Sequence, residues 1–153
     1  MVASGTGVRL EDTARDLFEV VTQIGLTTLR GRRRTGDLKE VEFLALALLH
    51  EHGTMIVGDI QRLLGVLPAQ MSRIIRSLEA KERALIACQI NSRDKRKVDV
   101  CITPAGEKAL VEYQASRTGR LLEILRDLPE EEREDINRLV DKLHGLLERL
   151  PAS

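Results

Sequence analysis

Gln70, Arg73 and Arg76 are spaced so that, on a helix, all three project from one side, with Ser72 beside them. Arginine can fork onto a guanine edge, glutamine can pair with adenine, and either can hold a phosphate instead; a serine hydroxyl serves both uses. A second group follows at 91–97, reading Asn-Ser-Arg-Asp-Lys-Arg-Lys, where Arg93, Lys95, Arg96 and Lys97 put four cations into seven residues. Like charges so close repel one another, so folding alone does not explain them. A phosphate backbone or a narrow minor groove does.

The elements that must position these groups are legible from the pattern. Ile60, Leu63 and Leu64 lie at helical spacing in 57–64, and Gly65 then permits a tight turn. Pro68 opens a second helix, for which Met71, Ile74, Ile75 and Leu78 form an apolar stripe opposite Gln70, Arg73 and Arg76. The segments 85–90 and 98–103 have strand composition, with Val98, Val100 and Ile102 alternating against Asp99, Cys101 and Thr103, so the cations fall at a hairpin tip. Helix, turn, helix, strand, basic tip, strand is the order of a winged helix-turn-helix.

In these residues the chain resembles the MarR (multiple antibiotic resistance regulator) family of bacterial winged-helix transcription factors, over nearly its whole length. The matching pieces are Asp59-Ile60 through Gly65, Pro68 to Leu78, Asp94-Lys95-Arg96, and Ile102-Thr103-Pro104-Ala105-Gly106. The resemblance implies that Arg96 enters the minor groove, that Asp94 shapes the wing by pairing with nearby cations, and that Arg73 is the recognition-helix arginine. Two departures stand out. Leu67 occupies the position before Pro68 where the family has a capping Ser or Thr, a loss of about 0.5–2 kcal/mol of helix stability and of a phosphate contact. The stretch 80–84 lacks the family's Gly and is slightly longer, which reshapes the approach to the wing.

With 153 residues, 42% of them hydrophobic and only 2% aromatic, the chain can bury one aliphatic core. Its formal net charge is zero, but the sum hides an asymmetry. Residues 1–52 carry 7 basic and 8 acidic side chains, 53–103 carry 9 and 5, and 104–153 carry 8 and 11, giving −1, +4 and −3. Positive potential therefore sits on the segment expected to meet DNA. Residues 1–8 lack the cationic start and apolar run of a secretory signal, and the run 43–49 is far too short to span a bilayer, so a cytoplasmic protein without membrane contact is expected.

The flanks read as helices. Leu10, Ala14, Leu17, Phe18, Val21 and Ile24 make the first amphipathic, and 41–49 reads as a central helix buried nearly all round. Thr103 caps a helix running from Pro104 to about Leu128; Pro129 starts a last one, with Glu130 to Glu132 at the positive end of its dipole. That last helix spaces Ile136, Leu139, Val140, Leu143, Leu146, Leu147 and Leu150 at three- and four-residue steps, a stripe that needs a partner surface. Packing on this chain's own first helix is one solution. The resemblance implies another, a homodimer formed by interleaving N- and C-terminal helices, with Leu17, Ile136, Leu139, Val140, Leu143 and Leu147 at the interface. The expected organisation is a mostly α fold with a small β-wing: a helical dimerisation region from 1–36 and 104–153, and a winged helix-turn-helix over 37–103.

Other residues invite chemistry less well. In a hairpin symmetric about the wing tip, Cys88 and Cys101 fall nearly opposite one another, but strained cross-strand geometry and a cytosolic setting favour two reduced thiols over a disulfide or redox pair. His50 and His52, two apart on a helix, point to different faces and do not readily share a metal ion. The cluster Arg30 to Arg34 closes the first helix or touches phosphates beside the main site. No nucleophile and base constellation, glycine-rich phosphate loop or paired metal motif points to an enzyme, a cofactor or a metal. The leading reading is a homodimeric repressor that binds a pseudo-palindromic operator in double-stranded DNA, relieved by a small-molecule effector in a cleft between dimer helices and winged helix. The competing one is a protein-interaction module that kept the fold and lost the operator.

Overall fold

The computed structural model describes residues 7–29 and 38–151. The Arg30 to Arg34 cluster lies outside the described residues. Two units divide the chain, residues 1–33 and 34–153.

The first unit holds helix α1, Leu10–Leu29, with Glu11 and Asp12 in its first turn. Acidic groups there complement the positive end of the helix dipole. Its apolar residues Leu10, Leu17, Phe18, Val21 and Ile24 are exposed.

The second unit is built on α2, Glu40–His52, whose Ala45, Leu46 and Leu49 are buried. It is not buried all round, because Leu44 is 45% exposed. After Gly53 come a short strand β1, Met55–Ile56, helix α3, Val57–Leu64, and helix α4, Pro68–Glu79. Strands β2, Ile86–Ile90, and β3, Val98–Ile102, form the hairpin, and helices α5, Pro104–Arg126, and α6, Glu130–Leu147, complete the chain. The result is a mostly helical fold with a small three-stranded antiparallel sheet, ordered β1-β3-β2.

The sequence pattern did not reveal β1: two residues show no alternation, and only the pairing of Met55 with Val100 and Ile56 with Asp99 makes it a strand. It gives β3 a partner on its second edge and ties the sheet to the start of α3. Leu46, Leu49, Ile60, Met71, Leu78, Ile86 and Val100 are fully buried and join α2, α3, α4 and the sheet in one core. Each such side chain contributes about 1.5–3 kcal/mol by leaving water. Aromatics are few, yet Phe43 of α2 and Tyr113 of α5 stack with ring centroids 4.3 Å apart. Arg117 lies 4.8 Å over the Tyr113 ring.

The turn between α3 and α4 rests on Gly65, held at φ 64° and ψ 32°. Gly65 N–H donates to Arg62 O and Val66 N–H to Gln61 O, the paired bonds that close a helix whose next residue is left-handed. A side chain at that φ is strained by about 1–2 kcal/mol, which explains glycine there.

Candidate nucleic-acid interface

Helix α4 is held from behind. Met71, Ile74 and Leu78 are buried, while Gln70, Ser72, Arg73 and Arg76 are exposed on the other side. Among the described residues the side chains of Gln70 and Arg73 have no hydrogen-bond or ion-pair partner. Arg76 Nε instead donates to Ser72 O at 3.3 Å, and Ser72 Oγ donates to Pro68 O at 3.1 Å. Ser72 therefore keeps only its acceptor capacity for an outside donor. Leu67 precedes the helix in extended conformation, makes no side-chain cap bond and is 74% exposed.

A buried carboxylate that sequence reasoning missed fixes the far end of α4. Glu42 of α2 is 1% exposed. Its Oε1 accepts from Lys39 N at 2.9 Å, its Oε2 from Ser77 Oγ at 2.6 Å, and Lys81 Nζ stands 3.8 Å away. A charge taken out of water needs such partners, and here two of the three come from the last turn of α4 and the residues after it. Nothing in the apolar pattern of 41–49 distinguishes Glu42 from a solvated glutamate.

The wing is shaped by its own polar side chains. Asn91 Oδ1 accepts from the backbone N–H of Arg93 and of Asp94, both at 2.9 Å, and its Nδ2 donates to Asp99 Oδ1 at 2.9 Å. Asp94 Oδ1 accepts from Arg96 N at 3.0 Å and Arg96 Nε at 3.2 Å. Bonding from Arg96, backbone first and guanidinium second, with the charge of Lys97, holds the Asp94 carboxyl below its ordinary range. Arg93, Lys95, Arg96 and Lys97 are all exposed, and among the described residues the side chains of Arg93 and Lys95 have no partner. Asn91 carried a sequence signal that went unread: asparagine at a strand end, bonding its own backbone two residues on, is a turn former.

At the base of the hairpin, Thr103 Oγ1 accepts from Gly106 N at 3.1 Å and donates to Ala84 O at 2.6 Å. A Cβ on Gly106 would lie 2.1 Å from Leu85 O and 2.7 Å from Ile102 Cγ1. Glycine there is a matter of space, since α5 starts against Leu85, just before β2, and Ile102 at the end of β3.

The hairpin register corrects the cysteine reading. Cys88 pairs with Val100 and Cys101 with Ala87, one step apart, so the two thiols sit on opposite faces of the sheet. Both are free. Burial, then the hydrogen bond and charge of Glu79, push the Cys88 thiol up to about 12. His50 Nδ1 lies 2.8 Å from Glu107 Oε2, joining the end of α2 to the start of α5. Among the described residues no three His, Cys, Asp or Glu side chains are grouped to hold a metal ion, and no helix is long and apolar enough to cross a membrane.

Ile136 and Leu143 are half-buried, whereas Leu139, Val140 and Leu147 are exposed, as is Leu17 of α1.

A helix-turn-helix followed by a wing that carries unpaired cations defines a winged helix-turn-helix protein. Residues 38–98 match the model of the MarR family. The HTH-type transcriptional repressor MdtR of Bacillus subtilis (strain 168) is 32% identical over 91 residues, covering 60% of this chain and 57% of the repressor, so the chain matches a little over half of that relative's length. Among solved structures, the YusO protein from Bacillus subtilis superposes with a TM-score of 0.67 at 26% identity, over 89% of this chain and 94% of its own. A transcriptional regulator from Thermotoga maritima gives a TM-score of 0.71 at 23% identity, over 91% and 96%. Over its winged helix-turn-helix, residues 38–98, the chain is similar to the MarR family, in a fold that solved transcriptional regulators share over most of its length.

Proposed function

We propose that this chain is a transcriptional repressor that binds a pseudo-palindromic operator in double-stranded DNA as a homodimer and releases it in response to a small-molecule effector. In this reading α4 enters the major groove, with Gln70, Ser72, Arg73 and Arg76 reaching bases or phosphates. The wing lies on the flanking DNA through Arg93, Lys95, Arg96 and Lys97, with Asp94 keeping its shape. The observation that carries it is that Gln70 and Arg73 have no partner among the described residues, on a helix that buries Met71, Ile74 and Leu78 on its other side. Folding uses the inner face of α4 and leaves these two groups of the outer one chemically unspent.

The match of residues 38–98 to the MarR family supports operator binding, and the name of the relative from Bacillus subtilis supports repression. The exposed apolar residues of α1 and of α6 support a second copy of the chain as partner, since contiguous apolar patches of that kind mark interfaces. The dimerisation region proposed is 1–36 with 104–153, serving a DNA-binding region at 37–103.

Selection from a random duplex library, followed by a salt titration of the winning sequence, tests the reading. Expected are a pseudo-palindrome with half-site centres about 10 base pairs apart and an affinity that falls steeply with salt. No enriched sequence, together with a flat salt response, would leave a winged-helix protein-interaction module in its place.

A further inference from the structure

We infer that Leu67 reads the 5-methyl group of a thymine in each operator half-site, so that the apolar start of α4 is a specificity determinant. The premise is operator binding as proposed above. Leu67 is 74% exposed and takes no part in the core, although its neighbours Leu64 and Val66 pack against that core. Its side chain caps nothing; only its backbone carbonyl serves the helix, accepting from Met71 N at 2.9 Å. Pro68 and Ala69 beside it are also exposed, so the helix opens with three consecutive residues whose side chains offer neither donor nor acceptor.

The N-terminal residues of a recognition helix are those that meet base edges in the major groove. Hydrophilic side chains there read donors and acceptors; an aliphatic one has a single complementary feature to meet, the thymine methyl. Leucine is also costly to leave in water at this place, since it forfeits the capping bonds that Ser or Thr would supply. Burial against a methyl group returns apolar area to a dry contact. Phosphate has no comparable use for the side chain, which separates the role of Leu67 from that of Arg73 and the wing.

The test uses the full chain and the duplex enriched by selection. Each thymine is replaced in turn by deoxyuridine, which lacks only the methyl group, and binding is measured for wild type, Leu67→Ala and Leu67→Ser. Wild type should lose about fourfold in affinity at one position per half-site, and about 15-fold when both symmetric positions are replaced, the worth of one and two buried methyl groups. In both variants the thymine-to-uracil ratio at that position should fall to about one. Leu67→Ser adds a cap and does not endanger folding, and the ratio within each variant cancels any phosphate contact the new hydroxyl makes. A wild type indifferent to uracil at every position overturns the inference, as does a penalty that survives unchanged in both variants. A chain that selects no sequence at all instead overturns the operator-binding reading on which the inference stands.

Discussion

Arg96 contributes to the wing twice over, its backbone N–H and its Nε both donating to Asp94 while its side chain remains 91% exposed. The guanidinium is thus aimed by Asp94 without being withdrawn from solvent. In DNA binding, Arg96→Ala should weaken affinity for all sequences alike and lower the slope of log affinity against log salt by about 1; an unchanged slope would remove the wing from DNA. The Asp94 carboxyl is held low, so its ordering of the wing is present above the ordinary carboxylate pKa of about 3.9 and is lost only as pH falls through the depressed folded value. Protection of the Arg96 amide, its exchange measured against the intrinsic rate at the same pH, should therefore hold across neutral and mildly acidic pH and fall only in stronger acid. In Asp94→Asn that protection should no longer change over the same acid range. For the thiols, alkylation near neutral pH should modify exposed Cys101 and spare Cys88, whose thiol at about 12 offers almost no thiolate. Equal labelling of both would show that burial and Glu79 do not protect Cys88. The exposure of Arg73, Arg96 and their neighbours was legible in the sequence, because cations at helical spacing opposite an apolar stripe, or at a hairpin tip, stay in water. Glu42 and Asn91 were not, since what sets them apart is a partner far away in sequence or a local turn geometry.

Among the elements, α4 is tied at its far end to α2 through Ser77 and Glu42, and α5 starts against Leu85 and Ile102. Gly106→Ala forces a Cβ into backbone that cannot retreat, so we expect a loss of about 1–3 kcal/mol or more, a fall in Tm of roughly 3–10 °C. Calorimetry finding no change would mean that α5 can shift away from β2 at no cost. Ser77→Ala removes the shortest of the bonds to buried Glu42 and should cost about 1–3 kcal/mol. The helices and the hairpin were readable because their apolar periods are unmixed: the pattern predicts α3 at 57–64, and the helix observed is Val57–Leu64. Strand β1 escaped because pairing defines it, and the diagonal offset of Cys88 and Cys101 escaped because a register cannot be read from composition. The candidate interface was legible only as a set of exposed residue types. The devices that orient it, Glu42 with Ser77 and Asn91 with Asp99, were supplied by the fold.

For the whole molecule the exposed apolar residues of α1 and α6 set the expected state in solution. Sedimentation of the wild type should give a dimer at micromolar concentration, and Leu139→Glu combined with Leu143→Glu should shift it toward monomer and abolish binding to a two-half-site operator. A folded wild-type monomer at that concentration would overturn both the dimer and the paired half-sites. The junction at Thr103 has a mechanical consequence. Thr103 donates its N–H to Leu85 O and its hydroxyl to Ala84 O, while Gly106 lies against that same Leu85 carbonyl. Helix α5 and the hairpin are therefore joined at close quarters, and a rotation of α5 is expected to carry the hairpin with it and to displace the basic tip further than the base, as a lever does.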